Sequence, residues 1–256
     1  MKYEIKATAR WFLPMYAAIL LFAGINKLQF TDPMIMDGPG FSFREIMSGL
    51  SIFIYGILFI GLMVITFVVC IIRFYKSLLG DEGYLMFTLP VETWKHIFNK
   101  LLIAMMWSVA SGLFAILSIL IMIPWSELAK MGEFFAELRL VFGIGGAFTV
   151  PLLTLVTLVF GVLQIYAAIA LGHLSNKHKL LVSFACYIGI NTVCQFFMML
   201  AMPGFMNIMY TVNGEVENIT GPVNQTMLMV IALTTIMAAG CYVLTNSILK
   251  KKLNLE

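Results

Sequence analysis

The sequence predicts an all-α, polytopic membrane protein with six transmembrane helices and both termini cytoplasmic. Three observations predict it. Of 256 residues, 61% are hydrophobic and only 11% charged. The charges cut the chain into six strongly apolar runs, 11–26, 46–72, 101–126, 140–176, 180–214 and 218–249. The basic residues then sit overwhelmingly on alternate connections between those runs.

A helix crossing about 30 Å of hydrocarbon needs roughly 20 apolar residues at about 1.5 Å of rise each. The first run is the short one. Lys27 can snorkel its ammonium towards the headgroups and let the helix continue to Phe30. Ahead of it, residues 1–10 place Tyr3, Ile5 and Ala9 against Lys2, Lys6 and Arg10. That pattern suits an interfacial helix, and equally a basic topology anchor. The N-terminal stretch resembles a signal peptide, but no small-x-small cleavage site follows before Asn26, so a retained first span is expected.

The second and third runs are of ordinary spanning length. Runs four and five exceed the need, so each is expected to hold an interfacial or re-entrant piece beside its span. Pro151 and the Pro203-Gly204 pair are the expected kink or end points. Residues 203–226, before the sixth run, form the last outer segment, extracellular or re-entrant. The sequons Asn218-Ile219-Thr220 and Asn224-Gln225-Thr226 within it arise often by chance and carry no weight.

Orientation follows from the basic residues. Lys2, Lys6, Arg10, Arg73, Lys76, Lys95, Lys100, Lys177, Lys179, Lys250, Lys251 and Lys252 lie on one side; Lys27, Arg44, Lys130 and Arg139 lie on the other. The majority marks the cytoplasmic face. The overall charge of +3 is thus a topology signal and a match to membrane lipids, and no nucleic-acid partner is expected. Single cysteines introduced at Ser77 and Asn176 in a cysteine-free background are expected to react with a membrane-impermeant maleimide only from inside, and those at Ser126 and Asn213 only from outside. Labelling of Ser77→Cys from outside overturns the orientation.

The connections are too short for a separate globular domain, so residues 1–256 read as a single transmembrane domain. Cys70, Cys186, Cys194 and Cys241 lie in or at the ends of spans without a CxxC or Cys/His cluster, and read as packing residues. His173 and His178, in a polar turn without carboxylate or thiol partners, do not make a metal site. No metal or other cofactor is expected in this chain.

Enzymatic chemistry finds little to work with. There is no GxxxxGK[ST] phosphate loop, so any ATP hydrolysis belongs elsewhere. The cluster Gly143-Ile144-Gly145-Gly146 sits in an apolar run and reads as a close-packing site. The middles of the runs hold no Asp, Glu, Lys, Arg or His, which removes the groups that proton-coupled transport, proteolysis or lipid hydrolysis would need. Uncharged polar residues remain: Gln164, Asn191, Gln195 and Asn246. Asn191 and Gln195 stand one helical turn apart on one face. With Gln164, they read either as the wall of a substrate path or as interhelical hydrogen bonding, worth about 0.6 kcal/mol per bond.

Residues 73–100 form the longest inner connection. Gly80 and Gly83 flank Asp81-Glu82 and break the helix leaving the second span. Tyr84, Leu85, Met86, Phe87 and Leu89 then gather apolar surface, and Thr88 ahead of Pro90 suits the start of the next helix. An acidic turn followed by aromatics reads as a protein-docking surface or as an interfacial helix dipping into lipid.

The string Leu79-Gly80-Asp81-Glu82-Gly83-Tyr84-Leu85-x-Phe87-Thr88-Leu89-Pro90-Val91 resembles the segment between spans two and three of Gram-positive ABC exporter permeases. The opening Lys2-Tyr3-Glu4-Ile5-Lys6-Ala7-Thr8-x-Arg10 and Phe12-Leu13-Pro14 is similar to the start of those chains. The resemblance implies a type-2 exporter: two six-span permeases, identical or similar, over two separate nucleotide-binding ATPase subunits that carry the ATP and Mg, in a bacterial cell membrane. It implies that Gly80, Asp81, Glu82, Gly83, Tyr84, Leu85, Phe87, Thr88 and Pro90 form the coupling helix on the ATPase, and that the chain itself is no enzyme. The expected cargo is hydrophobic or amphipathic, because a hydrated solute would meet uncompensated apolar walls. Two other classes stay open on the residues alone: a non-transporting sensor, scaffold or immunity protein against membrane-active peptides, and a passive channel.

Overall fold

The computed structural model describes residues 2–31, 43–76, 92–124, 127, 130–175, 178–213 and 220–251. Among them there is no strand. The helices are α1 (Lys2–Thr31), α2 (Phe43–Phe74), α3 (Thr93–Met122), α4 (Met131–Gly172), α5 (Lys179–Met198), α6 (Met202–Asn213) and α7 (Thr220–Lys251), with a 3₁₀ turn at Met199–Ala201 joining α5 to α6. Six stretches are long and apolar enough to cross a membrane: Ile5–Gln29, Ile46–Phe74, Thr93–Met122, Met131–Gly172, Lys179–Ile208 and Thr220–Lys250. The chain is a multi-pass membrane protein.

The helices carry large apolar side chains on their exposed faces. Phe53, Ile60, Phe148, Phe196 and Ile236 are all more than half exposed. Such a surface is untenable in water and ordinary in hydrocarbon, where only the backbone must be satisfied internally.

α1 reaches Thr31, as the snorkelling of Lys27 allows, and residues 2–10 are helical and continuous with the span. As end points of helices, the two proline positions are corrected. α4 runs helically through Pro151, and its break lies at Gly143 (φ 62°, ψ −168°). A proline removes one hydrogen bond and bends a helix, whereas this φ/ψ pair is closed to side-chain-bearing residues and ends one helix before the next begins. The irregularity in the fifth run falls at Met199–Ala201, just ahead of the Pro203-Gly204 pair. Pro203 sits in the first turn of α6, where its missing N–H costs nothing.

The helices gather into two compact units, Met1–Cys70 with Met106–Glu133, and Ile71–Met105 with Phe134–Glu256; α2, α3 and α4, the last through its first three residues, contribute to both. In the first unit α3 presents small residues at alternating spacings of three and four, Ser108, Ser111, Ala115 and Ser118. Small side chains let neighbouring backbones approach, which is how membrane helices gain packing energy without a hydrophobic drive. The neighbours reach into that face with hydroxyls. Tyr16 of α1 and Thr66 of α2 each lie 2.9 Å from the Ser111 hydroxyl, and Tyr55 of α2 lies 2.9 Å from that of Ser118. Rings flank the seam: Phe12 stacks on Trp107 at 4.4 Å and Tyr16 on Phe114 at 4.2 Å. Each such pair contributes about 0.5–1.5 kcal/mol beyond its area.

In the second unit the last third of α4 is central. Every residue from Val162 to Ala170 is buried, so this helix is enclosed on all sides. Tyr166 stacks on Phe74 at 3.9 Å. α6 packs on α7, with Gly204 against Thr226 so closely that a Cβ would come within 2.7 Å of the threonine hydroxyl.

Candidate functional site

Three polar loci are candidates, all within single units. The first joins two of the residues read from sequence as a path wall. Gln164, 4% exposed on enclosed α4, donates from Nε2 to Asn191 Oδ1 at 3.4 Å. At that distance the bond is long and weak. Asn191 is half-buried, whereas Gln195, one turn further along α5, is exposed and points away from the chain. The structure thus brings Gln164 and Asn191 together and leaves Gln195 on the outer surface of the helix. Asn246, half-buried on α7, has an Oδ1 without a hydrogen-bond partner. Neutral amides can orient a polar group in hydrocarbon but cannot exchange protons, so this locus supports binding or packing and not catalysis.

The second locus was missed in the sequence. The break at Gly143 interrupts the hydrogen-bond ladder of α4, and Asn224 of α7 repairs it: its Nδ2 donates to the Phe142 carbonyl at 3.0 Å. The Thr149 hydroxyl donates in turn to Asn224 Oδ1 at 3.3 Å. Gly145 faces the same amide, and a Cβ there would come within 3.3 Å of it. Freed carbonyls in an apolar setting cost several kcal/mol each, which is why an amide from a neighbouring helix sits there. The available signal was a pair of facts: a Gly-rich cluster inside a run too long for one span, and an Asn in the first turns of another run.

The third locus lies at the end of the second unit that carries the basic residues. Glu92, exposed, accepts from Trp94 Nε1 at 2.7 Å and pairs with Lys95 at 3.3 Å. The Trp94 hydrogen bond, with Lys95 beside it, holds the Glu92 carboxyl below the usual carboxylate range. The His173 ring lies 5.1 Å from that of Tyr75, and burial, aided by the charge of Lys179, pushes its pKa down. His173 therefore favours its neutral form.

The coupling residues Gly80, Asp81, Glu82, Gly83, Tyr84, Leu85, Phe87, Thr88 and Pro90 lie outside the described residues. Among those that are described, no group of three or more His, Cys, Asp or Glu side chains could hold a metal ion. The four cysteines are free, and Cys70, Cys194 and Cys241 are buried.

Comparison with known protein families, with characterised proteins and with solved structures finds no match to this chain.

Proposed function

We propose that the chain is the membrane-spanning permease subunit of an ATP-driven exporter, working as a pair with an identical or similar permease over two separate ATPase subunits in a bacterial cell membrane. The observation that carries the reading is the sequence from Leu79 to Val91, with its Asp81-Glu82 pair and the aromatic residues that follow, between the second and third spans, and its likeness to exporter permeases. The six spans accord with it. The role of this chain is mechanical. Binding of ATP and Mg at the partner draws the ATPases together, the segment Gly80 to Pro90 moves with them, and α2 and α3, which it joins, tilt to open the opposite face. The cargo is hydrophobic or amphipathic, entering from the bilayer past apolar walls on which half-buried Asn191, backed by buried Gln164, offers a neutral hydrogen-bonding group.

The chain purified alone is expected to hydrolyse no ATP above background. Mild-detergent purification from its native membrane is expected to bring down a polypeptide with a GxxxxGK[ST] loop. In proteoliposomes that complex should hydrolyse ATP and respond to amphiphiles more than to small hydrophilic solutes. Robust hydrolysis by the isolated chain overturns the division of labour. Purification without any such polypeptide returns the chain to the non-transporting class.

A further inference from the structure

α4 is a 42-residue helix with a break at Gly143. Straight, it would extend about 63 Å, twice the hydrocarbon thickness of about 30 Å. The part from Gly143 to Gly172, roughly 45 Å long, already suffices for a tilted crossing. The part before the break, Met131–Phe142, is therefore surplus to the span, and the turn at Gly143 lets it leave the direction of the span.

Its sequence divides cleanly around the helix axis. At 100° per residue, Met131, Phe134, Phe135, Leu138, Val141 and Phe142 fall within an arc of about 120°. Glu133, Glu137 and Arg139 lie on the remaining arc, all three exposed, together with one large apolar residue, Leu140. Leu138, Met131 and Phe142 at the middle of the stripe are half-buried, whereas Phe134 and Phe135 to either side of it are 54% and 59% exposed, so the chain leaves much of its own apolar stripe uncovered. Ahead of the helix, Lys130 pairs with Glu127 at 2.8 Å in a solvated turn.

What covers the stripe follows from where the helix is tethered. A single residue separates Phe142 from the span of α4, and Asn224 of α7 holds the Phe142 carbonyl at 3.0 Å, so one end of the short helix is fixed to two spans. A helix anchored there, apolar on one arc and charged on the other, meets acyl chains and headgroups together if it lies along the surface. Its charges and those of the turn, Glu127, Lys130, Glu133, Glu137 and Arg139, sum to −1, which offers no attraction to an anionic surface and suits zwitterionic lipid.

We propose that Met131–Phe142 is a lipid-docking helix in the leaflet away from the basic termini. Phe134 and Phe135 enter the acyl region, and Glu133, Glu137 and Arg139 stay among zwitterionic headgroups. The inference is independent of the transported cargo and of any ATPase.

The test places one spin label at a time on Glu133→Cys, Phe134→Cys, Phe135→Cys, Glu137→Cys and Leu138→Cys. The background is the full chain with its four cysteines replaced by Ala, reconstituted in phosphatidylcholine vesicles. Labels at 134, 135 and 138 are expected to collide several-fold more with oxygen than with a water-soluble nickel chelate, and those at 133 and 137 to show the reverse. Uniform access to the chelate means a helix standing in water and overturns the proposal. So does dipolar broadening at 134 and 135 that disappears on dilution with unlabelled chain, because a second copy then covers the stripe. Phe135→Trp in the chain with native cysteines repeats the reading: brominated phosphatidylcholine should quench the added emission, and an unquenched signal counts against lipid contact.

Discussion

Truncating Tyr84 or Phe87 to Ala is expected to weaken binding of the ATPase subunit by about 2 kcal/mol, roughly 30-fold in affinity. Aromatic anchors carry most of the energy of a docked helix because they fill desolvated pockets, whereas the surrounding contacts mainly exclude water. Reversing Asp81 and Glu82 to Lys should weaken docking further if the receiving groove is basic, and should slow association most at low salt. Insertion into the membrane and expression should survive all of these changes, since none alters a span. Titration of the purified ATPase onto the permease in nanodiscs reads the affinities directly. Unchanged affinity across the series returns the segment to an interfacial helix resting on lipid.

The architecture was legible because membrane insertion is decided by two properties written plainly in composition. Long apolar runs must cross, and uncompensated charges mark where they stop. The helices obey this closely at α2 and α7, whose ends at Phe74 and Lys251 fall within two residues of the ends of the apolar runs, at 72 and 249. They depart from it where helices carry charge beyond the apolar run. α3 starts at Thr93, eight residues before its run at 101, and takes in Lys95, His96 and Lys100; α4 starts at Met131, ahead of 140, and takes in Glu133, Glu137 and Arg139. Helix formation needs only satisfied backbone groups, so it continues through the interface that hydropathy treats as a boundary.

The polar loci were legible only in part. Gln164 and Asn191 were found because a long polar side chain in an apolar run is conspicuous, and the structure pairs them; Gln195 shares their type but not their surroundings. Ser111, Ser118, Tyr16, Tyr55 and Thr66 escaped because hydroxyls are unremarkable in any one helix. Their meaning lies in the register between helices, which brings Tyr16 and Thr66 onto one serine. Asn224 was set aside as part of a chance sequon. Its role depends on a backbone carbonyl 82 positions earlier in the chain, and no local pattern reports such a distance.

That carbonyl makes the break at Gly143 the most informative target for stability. With φ 62° and ψ −168°, Gly143 occupies a region open almost only to glycine, so Gly143→Ala must either hold the strained backbone, at about 1–3 kcal/mol, or straighten the helix. Straightening restores the ladder of α4 but swings Met131–Phe142 away from Asn224 and leaves the Nδ2 of that amide without its acceptor. Either route destabilises. Asn224→Ala, which leaves the Phe142 carbonyl unsatisfied, is expected to cost about 1–2 kcal/mol. The double variant should cost less than the sum of the two, because both changes undo the same junction. Gly161→Ala and Gly189→Ala supply the contrast: both positions are helical, and a Cβ there meets nothing within 4 Å. Those two should be neutral or stabilising by up to about 1 kcal/mol, through helix propensity alone. Reversible unfolding in mixed micelles measures all five variants on one scale. A Gly143→Ala protein as stable as the Gly161→Ala protein means that the junction is not held in this conformation in the membrane, and additive costs in the double variant mean that Asn224 stabilises the fold by some contact other than the Phe142 carbonyl.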